Sequence, residues 1–372
     1  MGLRACRHLP AELGRRRAFK HLNAWIEGER QPTLRQLEGF AHATHASLGY
    51  FFLPSPPEER LPLPDLRTLD GRAPARPSVH LLDTVYLCQH RQAWYREQAQ
   101  HLGASPLDFL GTATTQMPPA DAAGGMAQVL GFDLAARKQA STWEEALRLF
   151  ISNATDAGIL VMVSGVVGTN AHRRLDPEEF RGFALADPIA PLVFINGADT
   201  KSAQMFTLAH ELAHLWLGQS ALSAVDALHP STAAVERWCD QVAAELLVPA
   251  PALRAATQPG EALPSAMSRL AREFKVSTLV VLRRLRDTGT LSPAHFEQAW
   301  QDEVRRLRAI MARRPSGGSF YNTQGSRVGK RFARAVIASA LEGQTPFREA
   351  FTLLGVASMG TFNELSHRLG VG

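Results

Sequence analysis

Apolar residues recur at helical spacing over most of the chain, and one short central stretch breaks into β-rich runs. Residues 79–103, VHLLDTVYLCQHRQAWYREQAQHLG, read as one amphipathic helix ending at Gly103. A helix over residues 121–130 follows, then another over 142–157 that opens on a Ser/Thr cap and stops at Gly158. The β-rich runs are GILVMVSG (158–165), FRGFALAD (180–187) and PLVFIN (191–196). Asp187 and Pro188 form a tight turn between the last two, which predicts an antiparallel hairpin; FRGFALAD reads either as the sheet edge, along which an extended peptide could add, or as a core strand. Two more helices close this region, one over about 200–217 stopped by Gly218, one from Thr232 to Val248 stopped by Pro249. The pattern predicts an α+β fold, mostly helical, with a small three-stranded sheet.

The flanks are helical as well. LNAWIEGERQPTLRQLEGFAHATHASLGYFFLP, residues 22–54, carries a turn at Gly28–Pro32 and then a helix capped by Thr33, with Leu34, Leu37, Phe40 and Ala41 apolar. The proline-dense run PSPPEERLPLPDLRT is an extended linker. Residues 267–292 show two short helices around Lys275–Ser277, the pattern of a helix-turn-helix. After a break at Pro315–Gly318 the tail holds two further helices, VGKRFARAVIASALEG and FREAFTLLG.

A chain of 372 residues with 45% hydrophobic content has the composition of two or three ordinary globular domains. No apolar run reaches the roughly 18 residues needed to span a bilayer, and the N-terminus lacks the apolar stretch of a signal peptide. Cys6, Cys88 and Cys239 are too few and too scattered for a disulfide framework, so reduced thiols and a cytoplasmic location are expected. The net charge of +5 comes from scattered arginine patches, Arg15–Arg17, Arg283–Arg286 and Arg305–Arg308. They suit DNA or an acidic partner, or else form solvated helix faces.

Within FTLAHELAHLWLG, residues 206–218, the run HELAH places His210 and His214 four apart, on one face of a helix. Two imidazoles so spaced can chelate zinc at about 2.0–2.1 Å, and Glu211 stands beside the chelate, able to reach a water as general base. With 13 histidines in 372 residues, such a run arises by chance with a probability on the order of a few per cent. Buried histidines that only hydrogen-bond to carbonyls would read the same way, so a third ligand must be found. A third histidine in the H-E-x-x-H-x-x-G-x-x-H pattern is excluded, because Leu217 and Ser220 hold those places. A carboxylate on the next helix is the alternative. Glu236 is favoured, with His229 and Glu245 as competitors, and Asp240, one turn after Glu236, can orient a zinc histidine through its distal nitrogen. Cys239 is read as packing, and the apolar flanks seat the helix in the core with its two imidazoles and Glu211 facing an open cleft. The tyrosines, Tyr50, Tyr86, Tyr95 and Tyr321, are not placed by sequence as oxyanion donors.

The run EFRGFALADPIAPLVFINGADTKSAQMFTLAHELAHLWLG, followed by VERWCDQVAAELLVP, resembles the ImmA/IrrE family of zinc metallopeptidases over roughly residues 142–255. The resemblance implies a zincin-like peptidase core holding Zn2+ through His210, His214 and Glu236, with Glu211 catalytic. The family often has Asn where this chain has Asp240. AWIEGERQPTLRQLEGFA with GYFFL is similar to the second half of an XRE/Cro-type helix-turn-helix, and the tail to the C-terminal extension of long family members. The organisation implied is a partial XRE-type helix-turn-helix at 1–56, a linker and helical segment at 57–117, and a zinc peptidase domain at 118–256. A helix-turn-helix-like domain follows at 257–314, and an extension at 315–372. Members of that family cleave XRE-type repressors or relieve their repression. The expected partners are therefore a repressor of that type as protein substrate, and DNA through the helical flanks; no membrane contact is expected.

Overall fold

The computed structural model describes residues 17–44, 48–55, 61–64, 77–223, 234–311 and 325–371. The chain divides into two compact units, a small one of Met1–Pro62 with Pro77–Val79, and a large one of Leu63–Arg76 with His80–Gly372. Cys6, His229 and Tyr321 lie outside the described residues.

The small unit contains α1 (Leu22–Glu27) and α2 (Leu34–Thr44). Gly28, at φ 80°, ends α1 in the left-handed region that glycine tolerates. Thr33 and Gln36 open α2 as a reciprocal pair: the Gln36 amide donates to Thr33 Oγ1, and Gln36 Oε1 accepts from the Thr33 amide. Phe19, Leu22, Trp25 and Phe40 form a separate little core. Leu34, expected on the apolar face, is 60% exposed, because only the Phe40–Ala41 end of α2 is buried.

The large unit begins its helices with α3 (Val79–His101), α4 (Pro119–Leu130), α5 (Leu134–Lys138) and α6 (Trp143–Asp156). Then come β1 (Leu160–Ser164), β2 (Gly182–Leu185), β3 (Leu192–Asn196), α7 (Lys201–Trp216) and β4 (Ala221–Ser223). The remaining helices are α8 (Ala234–Leu247), α9 (Ala250–Ala256), α10 (Leu263–Phe274), α11 (Thr278–Asp287) and α12 (Pro293–Met311). After them come α13 (Lys330–Leu341), α14 (Phe347–Leu354) and α15 (Met359–Leu369).

The sheet has four strands, not three, in the order β1-β3-β2-β4. The expected hairpin is present, with β2 antiparallel to β3 and Phe183 opposite Phe194. Asp187 Oδ1 shapes its turn by accepting from the amides of Ile189 and Ala190. β1 runs parallel to β3, and the three-residue β4, too short to show periodicity, pairs antiparallel with the far side of β2. FRGFALAD is thus an internal strand, which decides for the core reading against the edge. The edges are β1 and β4.

α7 lies under β2, β3 and β4, and packs against α6 and α8. Its N-cap is Thr200, whose hydroxyl accepts from the Ala203 amide. Leu208, Ala209, Leu212, Ala213 and Leu215 are fully buried, so the helix is held on nearly all sides. α8 is fixed at its C-terminal end by two buried arginines. Arg137 donates to the carbonyls of Leu246, Leu247 and Phe274, and Arg284 donates to Val248 O at 2.7 Å. Both satisfy carbonyls that a helix end leaves without partners.

Candidate metal centre

Placing α8 against α7 brings Glu236 to the two histidines. His210 Nε2 and His214 Nε2 are 3.2 Å apart, Glu236 Oε1 is 3.0 Å from His214 Nε2, and Glu236 Oε2 is 3.3 Å from His210 Nε2. Donor atoms bonded to one tetrahedral ion at about 2.0–2.1 Å stand about 3.3 Å from each other, so the three side chains fit a metal ion. Among the described residues these three form a cluster that could hold one. Glu236 Oε1 is buried and accepts no regular hydrogen bond despite its closeness to His214, as expected of atoms aimed at a shared point rather than at each other.

His210 is oriented from behind. Its Nδ1 lies 3.0 Å from Asp240 Oδ1, and Asp240 Oδ2 accepts from Arg283 Nη2 at 2.6 Å. Asp240 is buried, which by itself would raise its pKa, but the Arg283 charge and the His210 contact hold it below the usual carboxylate range. An ionised Asp240 can only accept, so it holds a proton on His210 Nδ1 and leaves Nε2 as the atom that a metal would take. Arg283 also stacks at 4.8 Å over the Phe206 ring of α7, tying α11 to the metal helix. The sequence missed this role. Arg283 and Arg284, counted in a basic patch suited to DNA, are buried and used internally, Arg284 against Glu245 and the end of α8. Glu245, with Arg284 and the Ala250 amide as partners, is not at the site.

Glu211 is fully buried and neither carboxylate oxygen accepts a regular hydrogen bond. Burial pushes its pKa up to about 8; the His210 charge opposes the rise, Glu236 adds to it, and the Ser223 hydroxyl of β4 tempers it. Glu236 behaves oppositely. Burial would raise it, but two adjacent imidazoles outweigh that and bring it down to about 2. His214 is held below its ordinary value, chiefly by burial, whereas in His210 the carboxylates of Glu236 and Asp240 overcome burial and raise it. The sheet reaches Glu211 at Gly182 of β2, where a Cβ would lie 2.6 Å from Thr207 Cγ2 and 3.0 Å from Glu211 Oε1. Only glycine lets the strand lie so close.

Residues 154–286 match the family model Peptidase_M78, described as the IrrE N-terminal-like domain. The chain carries an ImmA/IrrE-family domain. The family is one of metallopeptidases, and the matched span holds all the residues of the cluster, from β1 through α11, Arg283 included. Residues 328–368, from the start of α13 to the end of α15, match a second model, a domain of unknown function (DUF8813). No curated protein matches the chain.

Within the ImmA/IrrE-family domain the sequence expectation of an open cleft does not hold. His210, Glu211 and His214 are each 1% exposed or less. Ser223 Oγ stands 3.4 Å from His214 Nε2, so β4 covers that face of the cluster. On the outer edge of β4 the Leu222 amide donates to Pro64 O at 3.0 Å, and Leu63 beside it is buried. Cys239 packs in the core, its thiol raised well above its ordinary pKa, first by burial and then by Glu236 and Glu211. Of the tyrosines, Tyr95 engages Arg331 through its hydroxyl, and Tyr50 and Tyr86 are exposed.

Proposed function

We propose that the chain is a zinc-dependent endopeptidase that cuts an extended segment of a protein substrate, and that the substrate is an XRE-type transcriptional repressor. The observation that carries the reading is a pairing of opposites within one cluster. Three donors converge on a point, and beside them stands a fully buried carboxylate, Glu211, its pKa raised by burial to about 8. His210, His214 and Glu236 would hold the ion. What zinc supplies when bound is Lewis acidity toward a water and a substrate carbonyl.

The protein's own residues supply the rest. Glu211 takes the proton of the attacking water and delivers it to the leaving amine, a task suited to a carboxylate next to His210 on the metal helix. Asp240, kept ionised by Arg283, fixes the His210 ring. An extended peptide would add along β4, the edge strand nearest the cluster, after displacing Pro64 from the Leu222 amide.

The test is metal content together with cleavage of an XRE-type repressor encoded beside this chain. One zinc per chain is expected, with cleavage by the wild type and a loss of at least about 100-fold in Glu211→Gln at unchanged zinc content. A repressor left intact by the zinc-loaded wild type overturns this substrate assignment.

A second reading, DNA binding, is supported by the paired helices α1 and α2 with their glycine-ended turn. It predicts affinity for duplex DNA that falls steeply with salt, as released counterions require. Negligible affinity at moderate salt removes it as the primary function.

A further inference from the structure

The outer edge of β1, on the opposite side of the sheet from β4, forms the floor of a trough that the peptidase reading does not use. Two hollows of about 740 and about 780 Å3 share Arg148, Ile151, Val163 and Ser326 and so adjoin. One wall is α6 and the other is the C-terminal module of α13 and α15. Gly329 brings that module in. At φ 78° it passes so close to β1 that a Cβ would lie 2.7 Å from Val161 O.

The charge of the trough is one-sided. The first hollow is lined by Arg148, Lys330, Arg331, Arg334 and Arg368, against the single carboxylate of Asp156. The second adds Arg174, Lys201 and Arg327, against Glu144 alone. Some of these cations are partly used: Arg331 donates to Tyr95 and to Thr155 O, Arg334 Nε to Leu369 O, and Arg368 pairs with Glu364. Arg327 is half-buried, and burial holds its guanidinium below its ordinary pKa, with no carboxylate among the described residues offsetting the cost. A concave surface that gathers this many cations focuses a positive potential. Ile151, Val161, Val163, Leu365 and Leu369 add an apolar floor beside the charges.

We propose that the trough binds a phosphorylated small molecule of nucleotide size, with its phosphates against Arg148, Arg327, Lys330 and Arg334 and its apolar body on Val161, Val163 and Leu365. Arginine forks and a lysine are the donors that phosphate oxygens take best. Each hollow by itself lies within the roughly 300–1,000 Å3 of small-ligand sites, and the surface is concave, whereas duplex DNA is read by an element that protrudes into a groove. The site is independent of the peptidase reading.

The test uses the zinc-loaded full chain and calorimetric titration with inorganic phosphate, AMP, ATP and a twelve-residue single-stranded oligothymidylate. Affinity is expected to rise from phosphate to AMP to ATP, with ATP binding weakened at least about tenfold in Arg148→Glu and in Lys330→Glu. Both side chains are exposed, so their replacement leaves the fold intact; a matched thermal melt checks this. Arg305→Glu, on an exposed face of α12, serves as the control and leaves binding unchanged. The proposal is overturned by absence of ATP binding at millimolar concentration, by equal binding in wild type and both trough variants, or by binding of the oligonucleotide alone.

Discussion

Glu211 and Glu236 are both buried carboxylates of one cluster, yet their pKa values are shifted in opposite directions, because Glu236 lies against both imidazoles. The difference has a measurable effect on stability. In metal-free protein Glu211 is protonated in the fold up to about pH 8, whereas the unfolded chain ionises it near 4.5, so its contribution to stability falls as pH rises from 4.5 to 8. Glu211→Gln removes that dependence. Chelator-treated Glu211→Gln should equal the wild type in unfolding free energy near pH 4.5 and exceed it at pH 8 by an amount on the order of a few kcal/mol, read from denaturant melts. Equal melting at pH 8 would show that the carboxylate is solvated after all. Asp240→Ala should weaken zinc binding about 10- to 100-fold, measured by competition with a chelator. Arg283→Met is expected to weaken it too, through an Asp240 left buried without its counter-charge.

At the scale of elements, the arginines explain how two helices from distant parts of the chain keep ångström-level register. Arg137 and Arg284 grip the C-terminal end of α8, so Arg137→Ala strands three carbonyls and should cost about 3 kcal/mol or more in a denaturant melt. The β4 edge is the other element with a consequence. Its outward amide at Leu222 is occupied by Pro64, a residue that offers an acceptor but has no amide hydrogen to return. A peptide with both groups should pair better there. Leu63→Asp, which penalises burial beside that contact, is expected to speed cleavage of an added substrate several-fold; a rate equal to wild type would show the contact to be no obstacle.

For the whole molecule, no helix among the described residues is long and apolar enough to cross a membrane. The large unit combines an ImmA/IrrE-family domain with a C-terminal helical module that closes over β1. A metal that binds the fold and not the unfolded chain stabilises it by mass action. Zinc at 100 times its dissociation constant should therefore raise stability by about 2.7 kcal/mol over chelated protein, read as a higher melting temperature. Substituting His214→Ala should abolish the increment, while Lys330→Glu should preserve it.

The helices were legible in the sequence because their signals are local. Thr142, Thr200 and Gly28 act within one turn of where they stand, and the three β-rich runs became strands within a residue or two of their expected ends. The spacing of His210 and His214 was likewise readable, since a single helix fixes it. Long-range pairing was not. Nothing local marks Ala221–Ser223 as a strand, so β4 and the true sheet edge were invisible, as was the parallel β1–β3 pair. Arg283 looked like surface charge because its partner is 43 residues away, and the same arginine in a solvated helix would have the same neighbours in sequence. The meeting of Glu236 with both imidazoles, the burial that lifts Glu211 to about 8, and the trough formed with the C-terminal helices were decided only by tertiary packing. Sequence determines which groups a turn of helix presents; distance, dielectric and charge balance arise only when separate elements close on one another.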